Sequence, residues 1–355
     1  MLCVCCAAVA LTCGISILYP DTILGFRKLR LQKYLKITKS AKLIRSSLQS
    51  SGSTETMDNL QSCEKNVTLV GDWLNTTGSG FSELDGDIEP LLDRTYHYRN
   101  VLPGGRWSPS DCRPAASVAI VITYRNREKH LGTVLRVLHT LLQRQRLKYG
   151  IFVVELALPT KFNIGILMNV GYLQAKRQDN YDCFIFHDVD LIPLNDKLMY
   201  TCRPSPNHMS AYNTKYVKFG KKNGIPYSSY VGGIISLSGP HYEKINGFSN
   251  LYFGWGGTDD DIEIRAKHRG IKFQREKMDV GRYFALPHGN DSGNDVNTRK
   301  GVLLKSTKAR IDSDGINSVE NVTHVDVVEQ RELYTWILVS CDENTVVDAL
   351  GRTIK

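Results

Sequence analysis

Apolar runs alternate with amphipathic stretches along the middle of the chain. Three continuous apolar runs have the pattern of strands that are buried on both faces: 117–123, 151–156 and 183–186. Two stretches with apolar side chains at helical spacing lie between them: 131–138 and 164–175. This order of strand, helix, strand, helix and strand predicts an α/β fold with a mainly parallel central sheet and helices on its faces.

The first twenty residues carry no charged side chain, and an apolar stretch of about twenty residues spans a membrane as a helix. We therefore expect a transmembrane signal anchor at residues 1–20. A cleaved signal peptide is the alternative, but the usual basic start and small-residue cleavage site are missing. Basic residues follow the apolar stretch, and the positive-inside rule would keep that side of the anchor cytoplasmic.

The net charge of +9 is concentrated in one segment. Eight of the 45 lysines and arginines, and none of the 36 acidic residues, lie between Thr22 and Thr54, so the rest of the chain is nearly neutral. This balance argues against a nucleic-acid-binding face. From Thr38 to about Gly86 the chain is rich in Ser, Thr, Gly and Asn, and we expect a basic juxtamembrane segment and stem at 21–86.

The sequons and the cysteines indicate the cellular compartment of the domain that follows the anchor. Asn66 and Asn75 begin N-x-[ST] sequons in the stem, and two more begin farther on, at Asn290 and at Asn321, which we also expect to be glycosylated. Paired sequons behind an anchor favour a secretory lumen. Five of the nine cysteines follow the apolar stretch, and they show no CxxC spacing, so a zinc site is not expected. In a lumen they are enough for two disulfides and one free thiol, which sequence alone does not pair.

Two groups of polar residues follow predicted strands, where parallel α/β sheets bind ligands. Asp188 and Asp190 follow the third strand, and carboxylates two apart on an extended segment share a face. Such a pair suits Mg²⁺ or Mn²⁺ bridging a diphosphate, although an accidental pair at a strand end is about as frequent. Arg125 and Arg127 follow the first strand and suit a phosphate or a base edge. Solvated loop arginines are the alternative.

The third group is the segment 253–261 (FGWGGTDDD), which leads into a helical pattern at 262–268. Thr258 has the character of an N-cap with Asp261 three residues later, and acids in a first turn favour the helix dipole. This does not explain Trp255 among three glycines, which is typical of a lid over a ligand. Repulsion among the three carboxylates is expected to raise the pKa of at least one, as a general base requires.

Taken in order, these motifs resemble the β-1,4-galactosyltransferase family. The similarity extends from about Cys63 to Thr335, in VAIVITYRNREKHL, FNIGILMNVGY, FHDVDLIPLND, PYSSYVGGIISLS, INGFSNLYFGWGGTDDDIEIR and SDGINS. The resemblance implies a single-pass type II Golgi membrane protein, with a lumenal catalytic domain of GT-A fold at 87–345 and a C-terminal tail at 346–355. It implies transfer of galactose, with inversion, from UDP-galactose to the 4-hydroxyl of a terminal sugar on a glycoprotein or glycolipid glycan. N-acetylglucosamine is the usual acceptor, and Mn²⁺ is the cofactor.

The resemblance also implies roles for individual residues. Asp259 is the general base, and the metal ligands are Asp190 and His288. The acceptor-binding residues are Tyr227 and Asp260. The donor-binding residues are Arg125, Arg127, Phe162, Asp188, Tyr230, which excludes an acetamido group, and Trp255, which closes over the donor with 286–306. The implied disulfides are Cys63–Cys112 and Cys183–Cys202, which leaves Cys341 unpaired.

Four positions depart from the family pattern. The family has a glutamate, a metal-site methionine, a donor-binding arginine and an Arg-Phe pair where this chain has Thr258, Ala285, Ile164 and Lys300-Gly301. With Asp190 and His288 alone, Mn²⁺ is expected to bind more weakly unless Asp291 or water completes the site. Two alternatives therefore stay open. One is a glycan- or nucleotide-binding paralogue with little or no turnover, and the other is a transferase with xylose or glucose as acceptor or UDP-N-acetylgalactosamine as donor.

Overall fold

A computed structural model of the protein describes residues 60–63, 67, 69–71, 98–289 and 294–351, which all belong to one compact unit, Leu60–Lys355. The expected anchor, most of the expected stem and the sequon residues Asn66 and Asn75 lie outside the described residues. Within the described ranges, no helix is both long enough and apolar enough to cross a membrane.

The described residues form twelve strands and eight α-helices. The strands are β1 (Arg106–Trp107), β2 (Ser117–Tyr124), β3 (Lys148–Leu156), β4 (Cys183–Asp188), β5 (Leu191–Pro193), β6 (Asn207–His208), β7 (Tyr212–Asn213), β8 (Ile234–Leu237), β9 (Gln274–Arg275), β10 (Arg282–Ala285), β11 (His324–Gln330) and β12 (Thr335–Ser340). The helices are α1 (Glu128–Arg144), α2 (Ile164–Gln178), α3 (Thr214–Lys218), α4 (Gly239–Lys244), α5 (Thr258–His268), α6 (Lys300–Arg310), α7 (Ile316–Val322) and α8 (Glu343–Leu350).

Nine of these strands of the described chain form one sheet in the order β11-β12-β3-β2-β4-β8-β6-β9, with β1 also paired to β3. The central strands β12, β3, β2 and β4 run parallel, so that Ile120 lies opposite both Ile151 and Ile185. Beside them, β11 and β8 run antiparallel to their neighbours. The predicted α/β fold with a mainly parallel central sheet is confirmed.

Alternate side chains of β2 enter two separate hydrophobic cores. Ile120 and Ile122 pack on the α1 side of the sheet, whereas Ala119 and Val121 pack on the α2 side. Helix α2 approaches so closely that a Cβ at Gly171 would lie 2.3 Å from Cγ1 of Val121. Because helices cover both faces, the strand sequence is apolar throughout rather than alternating.

Two boundaries that the sequence predicts differ from the structure: the start of β3 and the end of the catalytic domain. Strand β3 begins at Lys148, before its apolar run, because its first residues pair with β2 from Ser117 onward. Helix α8 continues past the domain boundary expected at residue 345, and its Val346 is buried in the core on the α2 side. Residues 346–350 are therefore part of the folded domain rather than of a tail.

Two disulfide bonds occur within the described residues, and they are the pairs that the resemblance implies. Cys63–Cys112 ties a short part of the expected stem to the segment before β2. Cys183–Cys202 joins the start of β4 to the loop before β6. Cys341 is the free cysteine of the described chain.

A small second sheet of β5, β10 and β7 brings three distant parts of the chain together. Ala285 of β10 pairs with Leu191 of β5, and the backbone N–H of Leu286 donates to the carbonyl of Asp190 at 2.8 Å. The other edge of β10 pairs with β7, which leads directly into α3. The residues after β4, after β10 and at α3 therefore meet at the carboxyl end of the central strands.

Candidate active site

A cavity of about 630 Å³ opens where β2 and β4 end. All residues expected from the sequence at the base, donor, acceptor or metal positions line it: Arg125, Arg127, Phe162, Asp188, Asp190, Tyr227, Tyr230, Trp255, Asp259, Asp260 and His288. They come from segments that lie far apart in the chain. A concave site with so many convergent polar groups, beyond the carboxyl ends of parallel strands, is where a ligand is expected.

Asp190 and His288 lie side by side in this cavity. Nε2 of His288 is 3.0 Å from Oδ2 of Asp190, and this hydrogen bond raises the pKa of His288. Burial raises the pKa of Asp190, but the hydrogen bond and charge of His288 outweigh it, so the pKa of Asp190 is lowered. Strand β4 ends at Asp188 and Asp190 lies in the turn beyond it. The turn, and not the alternation of strand side chains, therefore brings the two aspartates together.

The donor atoms here suit a hard divalent cation. Nδ1 of His288 lies between the carbonyl oxygen of Gly289, at 2.7 Å, and Nη2 of Arg127, at 2.8 Å. Metal binding by Nε2 requires the tautomer in which Nδ1 donates to Gly289, because only that tautomer leaves a lone pair on Nε2. Burial, followed by the charges of Asp190 and Asp259, raises the pKa of Asp188 well above its usual range, a condition that a bound cation relieves. Among the described residues, no three His, Cys, Asp or Glu side chains gather in a metal-binding group. A divalent cation held by Asp190 and His288 would need its remaining positions filled by other oxygen ligands, such as water.

Arg125 and Arg127 reach different parts of the cavity. Arg125 is buried, lies 5.2 Å from the ring centroid of Phe162 and donates to the carbonyl of Thr160 at 2.8 Å. Nη2 of Arg127 is 2.8 Å from Nδ1 of His288. The aromatic ring beside Arg125 suits a nucleotide base, whereas Arg127, next to the expected metal ligands, suits a phosphate.

All three aspartates of the segment 258–261 lie in the first turn of α5. The helix begins at Thr258 and its N-cap is Gly257, with φ of 95°. Thr258 is therefore not the N-cap, and the helix begins four residues earlier than its apolar pattern indicates. A Cβ at position 257 would also lie 2.6 Å from the ring of Tyr252, so the close approach of the loop to this ring requires glycine.

Asp261 points into the protein and away from the cavity. It is fully buried and forms ion pairs with Arg265 at 2.5 Å and Arg310 at 2.7 Å. The hydroxyl of Thr307 donates to it at 2.6 Å. Asp314 pairs with the same two arginines. This carboxylate is therefore neutralised by a buried ion-pair network, and only two of the three aspartates remain for chemistry.

Asp259 and Asp260 face the cavity, and each has a tyrosine partner. The hydroxyl of Tyr227 donates to Oδ1 of Asp260 at 2.6 Å. The hydroxyl of Tyr230 lies beside Asp259, and hydrogen bonding from it lowers the pKa of that carboxyl. Burial, followed by the charge of Asp260, raises the pKa of Asp259 to about 6. A carboxylate with this pKa is ionised at neutral pH and more basic than an ordinary aspartate, as a general base should be.

Trp255 lies at the mouth of the cavity and is 59% exposed. Its backbone N–H donates to the carbonyl of Asp295 at 2.8 Å, and its own carbonyl accepts from Asn297 at 2.9 Å. Nζ of Lys300 lies 5.8 Å from its ring centroid. Gly254 has φ of 85°, and a Cβ there would lie 2.2 Å from the carbonyl oxygen of Asp295. Glycine at this position therefore lets the tryptophan loop pack against the segment before α6.

Lys215 and Tyr216 also line the cavity, and the sequence did not point to either residue. They lie on α3, which has five residues and is too short for a periodic pattern. The charge of Lys215 lowers the pKa of Asp259, and the hydroxyl of Tyr216 is 2.9 Å from that of Tyr230. The pairing of β7 with β10, and a hydrogen bond of 2.9 Å from the backbone N–H of Ala285 to the hydroxyl of Thr214, bring this helix to the site. Both contacts are distant in the chain, so no local signal in the sequence reveals them.

Comparisons with known proteins identify the family of the chain. The chain matches the N-terminal region of glycosyl transferase group 7 over residues 79–203 and the N-terminal domain of galactosyltransferase over residues 214–289. β-1,4-galactosyltransferase 4 of Cricetulus griseus is 43% identical over 73% of this chain and 74% of its own length. The chain belongs to the β-1,4-galactosyltransferase family. The human β-1,4-galactosyltransferase 2 is 42% identical over 67% of this chain and 63% of its own length.

The galactosyltransferase fold of the chain has solved counterparts. The catalytic domain of Drosophila β-1,4-galactosyltransferase 7 in complex with xylobiose superposes with a TM-score of 0.52 at 25% identity, over 67% of this chain and 99% of that chain. A mutant of that Drosophila enzyme, at 24% identity and the same TM-score, was solved with manganese, UDP-Gal and xylobiose. The predicted GT-A fold of this galactosyltransferase is thus confirmed.

Proposed function

We propose that this galactosyltransferase transfers galactose from UDP-galactose, with inversion and with Mn²⁺, to the 4-hydroxyl of a terminal sugar, N-acetylglucosamine being the acceptor that we expect. One observation carries the proposal. Asp259, with its pKa raised to about 6, lines the same cavity as the Asp190–His288 pair. A base for the attacking hydroxyl and a cation site for the departing diphosphate are what this displacement requires.

The acceptor hydroxyl becomes a strong nucleophile as Asp259 takes its proton. Tyr227 and Asp260 are joined by a hydrogen bond, and we propose that they hold the acceptor sugar beside that carboxylate. Attack on the anomeric carbon breaks its bond to UDP in a single displacement, so an α-linked donor gives a β-linked product. Arg127 and Lys215 place positive charge near the departing diphosphate. Mn²⁺ held by Asp190 and His288 would neutralise the charge that develops on that diphosphate.

Water must be kept from the donor, because it competes with the acceptor. Trp255 stands at the cavity mouth, and its backbone is bonded to Asp295 and Asn297 just ahead of α6. We propose that this loop and the segment 286–306 close over bound UDP-galactose and exclude water.

We also propose a Golgi location, with the catalytic domain in the lumen behind the anchor at 1–20. Two disulfides in the described domain fit an oxidising compartment, and Asn321, which begins a sequon, is exposed. Protease protection in intact microsomes tests the topology. Loss of mass on enzymatic removal of N-glycans, compared with variants of Asn66, Asn75 and Asn321, tests the three sites.

The activity is tested with the full-length protein, purified in detergent. Release of UDP from UDP-galactose is measured with Mn²⁺ across N-acetylglucosamine, glucose and xylose acceptors, with Asp259→Asn as the blank. Xylose belongs in this panel because the Drosophila relative was solved with xylobiose. Acceptor-dependent release that the blank lacks supports the proposal and identifies the acceptor sugar.

The alternative function is a glycan- or nucleotide-binding protein with little turnover. It is favoured by Ala285, which stands where the family has the methionine of its metal site. Asp291, the other candidate ligand, lies outside the described residues. UDP binding that is weak and insensitive to Mn²⁺, with no release for any acceptor, would select this alternative. UDP-N-acetylgalactosamine as the donor is disfavoured, since Tyr230, which is buried, stands at the position that sets the donor choice in the family that the chain resembles.

A further inference from the structure

The hydroxyl of Tyr216 contacts the hydroxyl of Tyr230, and the proposed mechanism gives this contact no role. It lies on α3 and lines the cavity, and its hydroxyl oxygen is 2.9 Å from that of Tyr230. The two rings meet edge to face, with centroids 5.5 Å apart. The hydroxyl of Tyr230 in turn lies beside the carboxylate of Asp259, because a Cβ at Gly232 would be 2.4 Å from that hydroxyl and 2.3 Å from Oδ2 of Asp259. The three side chains therefore form a row of polar groups that ends at the proposed base, and hydrogen bonding from Tyr230 lowers the pKa of that base.

The direction of these hydrogen bonds follows from the number of protons. An ionised carboxylate only accepts hydrogen bonds, so Tyr230 must donate its single hydroxyl proton to Asp259. Tyr230 then has only lone pairs left for its other contact, and Tyr216 must donate to it. Neighbouring hydrogen bonds in such a chain strengthen one another. The hydroxyl of Tyr216 thus favours the arrangement in which Tyr230 points to the ionised base.

The ring of Tyr230 is held on several sides, whereas its hydroxyl depends on these two partners. The rings of His208 and Tyr227 also meet it edge to face, at centroid distances of 5.7 Å and 5.6 Å. Arg275 donates to its backbone carbonyl at 2.7 Å. A substitution that removes only the hydroxyl of Tyr216 is therefore expected to leave the ring packed and to release the hydroxyl end.

We propose that Tyr216 is a positioning residue for galactosyl transfer, which holds Tyr230 against Asp259 and thereby fixes both the base and the wall of the donor pocket. The inference rests on the proposed function. It predicts that the hydroxyl of Tyr216 acts only through Tyr230, since no other partner of that hydroxyl is present among the described residues.

A double-mutant cycle tests this dependence. Tyr216→Phe in the full-length protein should lower kcat for galactose about three- to tenfold, as loss of one hydrogen bond predicts. It should leave the KM for the acceptor and the dissociation constant of UDP unchanged. It should also raise the kcat/KM ratio of UDP-N-acetylgalactosamine to UDP-galactose by a similar factor. In a Tyr230→Phe background, the same substitution should change neither kcat nor this ratio.

Tyr212→Phe is the matched control, because it removes a phenol hydroxyl that has no hydrogen bond within the described chain, four residues from Tyr216. Equal effects of Tyr216→Phe in the two backgrounds, or no difference from Tyr212→Phe, would overturn the proposal. If the wild type transfers no galactose, the proposed function fails separately. Calorimetry with both donor nucleotides still decides the inference: Tyr216→Phe should shift the ratio of dissociation constants at least threefold towards UDP-N-acetylgalactosamine, and an unchanged ratio would refute it.

Discussion

Nε2 of His288 lies 3.0 Å from Oδ2 of Asp190, although 98 residues separate them in the chain. The contact exists because the backbone of Leu286 is hydrogen-bonded to the carbonyl of Asp190, which aligns the end of β10 with the turn after β4. One imidazole nitrogen and one carboxylate thus face each other beside Arg127. This is the arrangement that supports Mn²⁺ binding in the proposed function.

Asp190→Asn should weaken Mn²⁺ binding at least tenfold, because even groups that only orient a metal ligand change affinity by about 10- to 100-fold. The measurement is the Mn²⁺ concentration that gives half-maximal transfer. His130→Asn is the control, since that ring lies 6.2 Å from His288 and outside the expected ligand pair. Equal Mn²⁺ requirements for Asp190→Asn and the wild type would show that Asp190 is not a ligand.

Asp259→Asn should lower kcat by about 10²- to 10⁴-fold, the range expected for loss of a general base. The amide keeps the shape of the side chain, so the dissociation constant of UDP should stay the same. Asp260→Asn provides the comparison, because Asp260 is expected to hold the acceptor, and its loss should raise the acceptor KM more than it lowers kcat. Turnover of Asp259→Asn at the wild-type rate would remove Asp259 from the mechanism.

The rate should rise with pH through about 6, because Asp259 must be ionised to accept a proton and its pKa is raised to about 6. Two substitutions should move this rising limb of the pH profile of kcat/KM in opposite directions. Asp260→Asn removes a negative charge that raises the pKa of Asp259, so the limb moves to lower pH. Lys215→Met removes a charge that lowers it, so the limb moves to higher pH. Shifts in the same direction would mean that another group titrates.

The free energy of unfolding should depend strongly on the buried ion-pair network, which consists of Asp261, Asp314, Arg265 and Arg310. Arg310→Met leaves Asp261 and Asp314 with Arg265 alone, and breaking such a buried pair costs about 3–5 kcal/mol in the free energy of unfolding. Arg177→Met, which removes a half-exposed pair with Glu320, should cost less than about 1 kcal/mol. Thermal and denaturant unfolding of the two variants measures the difference. Similar losses would mean that the buried network contributes no more than a surface pair.

The central strands, and the position of the site at their carboxyl ends, could be predicted because the apolar pattern of each strand is local in the sequence. The apolar run of β2 is continuous because both faces of that strand are buried, and this is visible in the sequence. The position of Asp188 at the end of β4 follows in the same way. Helix α3 could not be predicted, because five residues carry no period and its place depends on the pairing of β7 with β10.

The three aspartates of α5 show a second limit of the sequence. Asp259, Asp260 and Asp261 are chemically identical neighbours, and repulsion among them was expected. The structure separates them by partners that are distant in the chain: Tyr230 for the first, Tyr227 for the second, and two arginines for the third. A local pattern indicates that one of the three is a base, but only the packing of α6 against α5 shows that Asp261 is not available.

Gly232→Ala should lower kcat at least tenfold, and it should cost about 1–3 kcal/mol in the free energy of unfolding, as overpacking does. A Cβ at this position would lie 2.3 Å from Oδ2 of Asp259 and 2.4 Å from the hydroxyl of Tyr230, so the methyl group would push apart the two groups that define the base. Asp259 has a short side chain and Tyr230 is buried, so neither can move away easily. Gly132→Ala on α1 is the control, because a Cβ there meets nothing within 4 Å. If Gly232→Ala transfers galactose as fast as Gly132→Ala, the contact between Tyr230 and Asp259 is not required for catalysis.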